Sequence, residues 1–180
     1  QLSGQLKKLI GIKMERIIGN GVCCPKCKRQ TLTVLGNNSP SLDIVCSACH
    51  KKIECKSKCL SINQLPQDIV LNHGSYKSYT KRQNDGLDFI IIVYGIERKS
   101  KTIRIRKVLY ANNSYIKTNT NFIVKQNKSS HCTIYIKNHF HLQQLPFNGP
   151  PNISYKSIFD RLLNGLKKID LLLIYKDYIL

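Results

Sequence analysis

The sequence predicts a mixed α/β fold, in which helices flank a mixed sheet, and three observations support it. Residues 5–18 carry apolar side chains at helical spacing. Residues 89–94 form an apolar, largely β-branched run, which is typical of a strand covered on both faces. Residues 102–106 alternate between basic and apolar side chains, as a half-exposed strand does. With 180 residues and 42% hydrophobic content, we expect a single domain over residues 1–180 with a hydrophobic core.

The N-terminal half alternates short predicted strands with pairs of cysteines. Strands are predicted over residues 31–35, 42–45 and 52–56, and residues 36–40 form a turn between the first two. Tight Cys-x-x-Cys turns precede the first strand and separate the last two. We therefore expect residues 22–58 to form one hairpin-like unit that the cysteines hold together.

The C-terminal half combines further helices and strands. Its predicted elements are a polar loop that starts a helix near Pro66 (59–70), a basic helix (75–83), the strands 89–94 and 102–106, a mobile loop (111–130), a strand (132–137), a chain break (148–151) and a C-terminal helix and tail (152–180). The loop at 111–130 is predicted from its richness in Asn, Ser and Lys.

The charge of the chain predicts a polyanionic partner. Lysine and arginine number 29 against 10 acidic residues, so the formal net charge is +19. Double-stranded DNA is the partner we expect. The longest strongly apolar run, residues 89–96, is too short to span a bilayer, and no secretory signal is visible, so no membrane partner is expected. We expect an intracellular protein of the cytoplasm or host nucleus, and the Asn, Ile and Lys usage is compatible with a viral origin.

Two Cys-x-x-Cys pairs predict a structural zinc site. The pairs are separated by 18 residues, which is a spacing typical of zinc sites. Four thiolates complete a closed tetrahedral set without a position for water. The predicted Zn²⁺ ligands are Cys24, Cys27, Cys46 and Cys49. Cys23 in place of Cys24, or an iron–sulfur cluster, remains an alternative, whereas His50 is not expected to be a ligand.

An acidic pair and a lysine are interleaved with the cysteines. Asp43 and Glu54 are predicted to lie on neighbouring strands, and Glu54 and Lys56 share a strand face at i, i+2. Two carboxylates and the main-chain carbonyl of Cys55 could hold Mg²⁺ or Mn²⁺. Lys56 would then orient an attacking water or stabilise a phosphorane. This pattern predicts a metal-dependent phosphodiesterase, although the pattern alone also fits an ordinary surface hairpin.

Other charged residues are candidates for a metal contact or for contact with DNA. Glu15 is the only acid of the first helix, and we expect it to face solvent, with a metal contact as the alternative. Basic residues of the predicted helix 75–83 and strand 102–106 are candidates for contact with DNA phosphates. These are Lys77, Lys81, Arg82, Arg104 and Arg106.

The order and interleaving of these motifs resemble a known family. The segments Cys24–Cys27, Pro40–Asp43, Cys46–Cys49 and Ile53–Lys58 are similar to the catalytic domain of DpnI-type restriction endonucleases. Those enzymes are PD-(D/E)XK nucleases with a four-cysteine zinc site inserted in the active-site hairpin. The interleaving is more specific than either motif alone. In this chain the proline stands three positions before the aspartate.

The resemblance implies a fold, an activity and a set of site residues. It implies a PD-(D/E)XK-type mixed sheet, catalysis by Asp43, Glu54 and Lys56, catalytic Mg²⁺ and structural zinc. DpnI-type enzymes also carry a C-terminal winged helix that helps to read methylated adenine in GATC. We expect that domain to be absent, since only one predicted helix and a tail follow Pro151. The expected activity is a type II restriction-like DNA endonuclease with sequence or methylation dependence, acting as a homodimer or in a larger complex.

Two other functions compete with this interpretation. A non-catalytic zinc-ribbon module that binds nucleic acid, as an accessory subunit, explains the zinc ligands and the charge of +19 but leaves the acidic pair and lysine as coincidence. An HNH-type nuclease requires a histidine constellation after a zinc knuckle. Here His50 is followed by two lysines, and the next candidates are the late histidines His131, His139 and His141.

Overall fold

Helices and two sheets make up the part of the chain that the structure, a computed structural model, describes. That part comprises residues 4–35, 43–60, 66–97, 99–128 and 130–154. The helices are α1 (Gly4–Gly21), α2 (Tyr76–Asn84) and α3 (Asn113–Thr118), and a 3₁₀ turn spans His139–His141. The strands are β1 (Leu32–Val34), β2 (Ile44–Cys46), β3 (Lys52–Cys59), β4 (Ile69–Ser75), β5 (Asp88–Glu97), β6 (Thr102–Ala111), β7 (Phe122–Gln126), β8 (His131–Ile136), β9 (Gln143–Gln144) and β10 (Asn152–Ser154).

The larger sheet is mixed, as the sequence predicts. Its order is β1-β2-β3-β5-β6-β10, and β9 also pairs with β6. Strands β3 and β5 are parallel, and the other pairs are antiparallel. A parallel pair needs a crossover connection, and here β4 and α2 supply it. The predicted mixed sheet flanked by helices is thereby confirmed.

Strand β5 is the centre of the larger sheet and is covered on both faces. Ile90, Ile92 and Tyr94 belong to the hydrophobic core that contains α1. The alternate residues Phe89 and Ile91 belong to a second core, on the side of α2 and the smaller sheet. This alternation explains why the run is apolar throughout: neither face of the strand meets water.

Helix α1 packs its apolar stripe on one face of the larger sheet. Its residues Ile10, Met14 and Ile18 are at most 1% exposed, which confirms the predicted amphipathic helix. The helix ends where the backbone approaches a neighbouring segment closely. A Cβ atom on Gly21 would lie 2.7 Å from a ring carbon of Phe147, so a larger residue does not fit there.

The smaller sheet contains a strand that the sequence prediction missed. Its order is β4-β8-β7, and both pairings are antiparallel. Residues 59–70 were predicted to be a polar loop that starts a helix near Pro66, but β4 begins at Ile69 and continues to Ser75. Burial of Ile69 and Leu71 against the second core explains the strand, because their period-2 pattern is satisfied only in the folded protein.

The prediction of a mobile loop over residues 111–130 was wrong. Helix α3 and strand β7 occupy most of this segment. The side chain of Asn112 caps α3 by accepting a hydrogen bond from the backbone N–H of Tyr115 at 2.7 Å. Ile116 and Phe122 anchor the two elements in the second core. Asparagine therefore acts here as a helix cap, although its abundance suggested a loop.

Other predicted elements are confirmed or lie outside the described residues. The predicted strands at 31–35, 52–56, 102–106 and 132–137 and the helix at 75–83 all appear, and β3 and β6 are longer than predicted. The predicted turn at 36–40 and the predicted helix and tail beyond residue 154 lie outside the described residues. Within the described part, no helix is long and apolar enough to cross a membrane.

Candidate active site and zinc cluster

Four cysteine sulfurs converge at the base of the β1–β2–β3 unit. The Sγ atoms of Cys24, Cys27, Cys46 and Cys49 all lie within 4.8 Å of one another. Cys24 and Cys49 Sγ are 3.7 Å apart, and Cys27 and Cys46 Sγ are 3.6 Å apart. A tetrahedral zinc with Zn–S bonds of about 2.3 Å requires S···S distances of roughly 3.8 Å. These two distances match that value, and the cluster is therefore compatible with a bound zinc ion.

The two Cys-x-x-Cys turns have the same local structure. In each turn the residue after the second cysteine donates its N–H to the carbonyl of the first, from Lys28 to Cys24 and from His50 to Cys46, both at 2.8 Å. Lys28 and His50 both adopt a left-handed conformation, with φ of 62° and 57°. This repeated geometry aims both thiols of each turn at one point. The side chain of His50 is exposed and is not part of the cluster.

The surroundings of Cys46 favour a thiolate. Burial raises the pKa of Cys46, but contacts with the Thr31 hydroxyl and with backbone N–H groups outweigh it and bring the pKa to about 6. The Thr31 hydroxyl lies 3.0 Å from Cys46 Sγ, and the Cys49 N–H donates to Cys46 Sγ at 3.4 Å. A thiolate is the form that binds zinc.

The β2–β3 hairpin brings Asp43 beside the middle of β3. Residue 43 immediately precedes β2, and Ile44 pairs with Ile53 across the hairpin. The N–H of Cys55 donates to Asp43 Oδ2 at 2.9 Å. The side chain of Cys55 belongs to the core that contains α1. The second cysteine pair connects these two strands, so half of the cysteine cluster and both carboxylates belong to one hairpin, whereas the first cysteine pair precedes β1.

Glu54 lies at the centre of a cluster of basic side chains. Its carboxylate is fully buried, and its Oε1 atom lies 2.5 Å from Lys56 Nζ and 3.0 Å from His73 Nε2. Arg82 also donates to Oε1 through Nη1. Three cationic or potentially cationic groups therefore meet one carboxylate oxygen.

These contacts keep Glu54 ionised in a buried position. Burial would raise the pKa of Glu54, but His73, Lys56 and Arg82 outweigh it and lower the pKa to about 2. The second oxygen, Oε2, is also buried, and it has no hydrogen-bond partner among the described residues. An ionised, buried and unpartnered oxygen is a suitable ligand atom for a hard divalent cation.

Two further carboxylates, Asp43 and Glu15, have raised pKa values, and burial is the first cause of each shift. Burial raises the pKa of Asp43, against the opposing effect of Lys56. Burial and the proximity of Asp43 raise the pKa of Glu15 to about 7. Glu15 is half-buried and feels the charges of Asp43, Lys56 and Glu54, so the expectation that it faces solvent was wrong. Its position follows from the packing of α1 against β3.

The candidate DNA-contact residues fall into two separate groups. Lys77 and Lys81 are exposed on α2, the helix that also carries Arg82 to Glu54. Arg104 and Arg106 lie on β6, where Arg104 pairs with Gly95 on β5. Glu54 pairs with Phe89, which also lies on β5. At about 3.3 Å per residue, the six residues from Phe89 to Gly95 place Arg104 roughly 20 Å farther along the sheet than Glu54. The structure therefore brings only the α2 group close to the carboxylates.

His73 is a site residue that the sequence analysis did not single out. It lies on β4, which was predicted to be mostly loop, and only tertiary packing brings it to Glu54. No local motif marks it. The only sequence signal is its place in the alternation of Ile69 and Leu71, which directs all three side chains to one face.

Comparison with known families identifies the chain. Residues 6–158 match the family described as DpnI, the Dam-replacing family. The chain belongs to the DpnI family. The match covers most of the sequence and includes most of α1, both cysteine pairs, Asp43, and the strands and helix that carry Glu54, Lys56, His73 and Arg82. Among curated proteins, none matches this chain.

Membership of the DpnI family sets the class of the protein. It indicates a restriction-type, methylation-related nuclease, and therefore DNA as the substrate class. The four-cysteine cluster is compatible with the structural zinc that the motifs predicted. The fold, the zinc-compatible cluster and the family thus agree with one another.

Proposed function

We propose that this chain is a Mg²⁺-dependent DNA endonuclease that hydrolyses phosphodiester bonds with Asp43, Glu54 and Lys56. Membership of the DpnI family supports the nuclease class. The observation that carries the assignment of the site is the buried, ionised Glu54, whose Oε2 has no partner among the described residues while Asp43 and Lys56 lie beside it. We further propose that residues 1–180 contribute one nuclease-like domain.

The donor set fits Mg²⁺ or Mn²⁺. Glu54 Oε2, a carboxylate oxygen of Asp43 and the main-chain carbonyl of Cys55 are hard oxygen donors, which both cations prefer. The raised pKa of Asp43, caused first by burial, is consistent with a site that requires a cation to balance its charge. When bound, the cation would polarise the scissile phosphate and acidify a water molecule.

The side chains of the protein would supply the remaining chemistry. Lys56 holds its ammonium at Glu54 with 24% of its side chain exposed, so it can reach both the carboxylate and an incoming phosphate. We propose that it orients the attacking water and stabilises the charge that develops on phosphorus. Arg82 keeps Glu54 ionised in the absence of the cation and could contact the phosphate once the cation shares the carboxylate.

The arrangement of basic side chains suggests how DNA would approach. The exposed Lys77 and Lys81 on α2 stand next to Arg82, so a backbone that contacts them would run towards Glu54. Lys77 and Lys81 are i, i+4 and share a helix face. For double-strand cleavage by a single site, we propose a homodimer or two successive nicks. Dependence on sequence or adenine methylation is proposed from the family.

A plasmid assay tests this function. Plasmids with and without adenine methylation are incubated with the zinc-loaded protein, with Mg²⁺ or Mn²⁺ and with EDTA, alongside a Glu54→Ala/Lys56→Ala variant. Glu97→Ala/Lys99→Ala is the matched control, because it removes the same charges at the exposed end of β5. We expect cutting that requires the divalent cation and that only the Glu54→Ala/Lys56→Ala variant loses.

The same assay separates the proposal from its main competitor. If the wild-type protein binds DNA tightly but never cuts with either cation, the chain is better described as a non-catalytic zinc-ribbon module. If the variant cuts as fast as the wild type, the nuclease activity belongs to other residues. A difference between the two plasmids would show whether methylation governs cutting.

A further inference from the structure

We propose that His73 is a positioning residue that holds the Glu54 carboxylate so that Oε2 remains available to a divalent cation. This inference rests on the proposed function and extends it to a residue outside the predicted acidic pair and lysine. His73 Nε2 lies 3.0 Å from Glu54 Oε1, and the two side chains are 2% and 0% exposed. Water does not compete with a contact between two buried groups, so the imidazole restrains the position of the carboxylate.

Packing fixes the histidine ring before any ligand arrives. The ring meets Tyr79 edge-on, with centroids 5.5 Å apart and an interplanar angle of 81°. Tyr79 in turn stacks on Phe89 at 6.4 Å, and Phe89 is the strand neighbour of Glu54 in the β3–β5 pair. His73, Tyr79 and Phe89 therefore form a series of packed rings, and both His73 and Phe89 lie next to Glu54.

The three nitrogens at Oε1 do not have the same freedom. Lys56 and Arg82 have long side chains that are 24% and 16% exposed, so both can turn towards a phosphate. His73 has a short side chain, is almost fully buried and lies within strand β4. It is the partner that can stay on Oε1 while the other two move, and this leaves Oε2 as the ligand atom.

The position of His73 in the sheet agrees with this role. Its register partner on β8 is Cys132, and the β4–β8 ladder becomes irregular between His73 and Ser75. A bulge re-aims a side chain relative to a regular strand. Both ring nitrogens of His73 are buried, and neither makes a hydrogen bond of regular geometry in the described part of the chain, so the close contact of Nε2 with Glu54 Oε1 at 3.0 Å is what accounts for the imidazole.

Manganese binding, followed by the electron paramagnetic resonance signal of free Mn²⁺, tests the proposal without relying on activity. The variants are His73→Gln, which carries an amide nitrogen near the Nε2 position, and His73→Asn, whose nitrogen reaches only the Nδ1 position. His139→Gln is the matched control, since His139 is a buried histidine whose Nδ1 lies 2.9 Å from Gln67 O. Zinc content and circular dichroism confirm that each variant is folded.

We expect His73→Asn to weaken Mn²⁺ binding by about 10-fold or more, the usual effect of removing a group that orients a metal ligand. His73→Gln should stay within roughly 3-fold of the wild type, and His139→Gln should not change binding. In cleavage assays His73→Asn should require more Mg²⁺ for half-maximal rate but approach the wild-type rate at saturating Mg²⁺. A merely structural role would not raise the Mg²⁺ concentration needed for half-maximal rate while leaving the rate at saturating Mg²⁺ unchanged.

Two results would overturn the inference in distinguishable ways. If wild type binds Mn²⁺, Glu54→Gln abolishes binding and both His73 variants bind like wild type, the site stands but His73 does not position it. Equal losses in His73→Gln and His73→Asn would assign the effect to ring packing and would also overturn the inference. If folded, zinc-loaded wild type binds no Mn²⁺, the proposed metal site itself fails, and His73 has no metal ligand to position.

Discussion

Lys51 Nζ lies 2.8 Å from Asp88 Oδ1, so the second residue after the zinc cluster is ion-paired with the first residue of the central strand. Asp88 is fully buried and also accepts hydrogen bonds from the Tyr110 hydroxyl at 2.6 Å and the Asn113 N–H at 2.7 Å. The zinc-bearing hairpin is thereby tied to β5, β6 and α3. This connection holds the hairpin in register with the strand that lies next to Glu54.

Asp88 and Lys51 should contribute unequally to the free energy of unfolding. Asp88→Asn should lower the free energy of unfolding by about 2–4 kcal/mol, because the amide cannot accept from all the donors that surround it. Lys51→Gln should cost only about 1 kcal/mol, since Tyr110 and Asn113 still satisfy Asp88 and the lysine is partly exposed. Urea unfolding measures both, with the exposed Lys52→Gln as control. Equal losses in the Lys51 and Asp88 variants would contradict this account.

Zinc binding should depend on Cys46 and not on Cys23. Cys46→Ser should reduce the zinc content from one per chain to nearly zero and lower the melting temperature, since binding of a structural zinc adds directly to folding free energy. Cys23→Ser should keep its zinc, because Cys23 is not one of the four clustered thiols. Metal analysis of the purified variants checks this. Zinc loss in Cys23→Ser would mean that the ligand set begins one residue earlier.

Glu15 should make the zinc-loaded protein less stable as the pH rises when Mg²⁺ and Mn²⁺ are absent. The pKa of Glu15 is raised from 4.5 to about 7, so the folded protein binds more protons than the unfolded chain between these values. The stability linked to Glu15 is therefore fully present below about pH 4.5 and is lost as the pH rises through about 7. Glu15→Gln should show a smaller fall in melting temperature than wild type between about pH 5 and about pH 8.

The matched control for Glu15 is Glu97→Gln, which removes an exposed acid at the end of β5. Its melting temperature should follow the wild-type pH dependence. Identical pH profiles for Glu15→Gln and the wild type would mean that Glu15 does not share the field of Asp43. The measurement is made in EDTA concentrations that leave the zinc in place, as zinc analysis verifies.

The basic residues of α2 should carry more of the DNA affinity than those of β6. Lys77→Gln/Lys81→Gln should weaken binding to any duplex and reduce the slope of log affinity against log salt by about 1–2. Arg104→Gln/Arg106→Gln should weaken DNA binding less, because both arginines lie far along the sheet from Glu54. Fluorescence anisotropy at several salt concentrations compares the two variants. The opposite ranking would indicate that DNA crosses the β6 side.

Much of the fold was predictable because its strongest elements have clear periodicity. Helix α1 repeats its apolar residues at helical spacing, and β5 is apolar on both faces because it lies between two cores. Strands β4 and β7 could not be predicted in the same way, because their polar residues suggested loops and only the β8 partner completes the sheet. Asn112 illustrates the difficulty, since one residue type serves both loops and helix caps.

The site residues also divide into those that sequence spacing reveals and those that only the folded structure brings together. The zinc ligands, Asp43, Glu54 and Lys56 all lie within residues 24–56, so spacing in the sequence reports their proximity in space. His73 and Glu15 come from β4 and α1, which pack on opposite faces of the larger sheet. Their contact with the hairpin depends on the fold as a whole. Arg82 was predicted as a DNA contact, whereas the structure also gives it a buried carboxylate partner.

The measurement that tests the central claim most directly is the single-turnover cleavage rate of Glu54→Gln, with saturating DNA and Mg²⁺. Glu97→Gln serves as the control with the same substitution at an exposed site. We predict that Glu54→Gln cuts roughly 1,000-fold more slowly while it keeps its zinc and its DNA affinity, because a catalytic metal ion contributes several kcal/mol. A Glu54→Gln protein that cuts at the rate of Glu97→Gln would contradict the assignment of the active site.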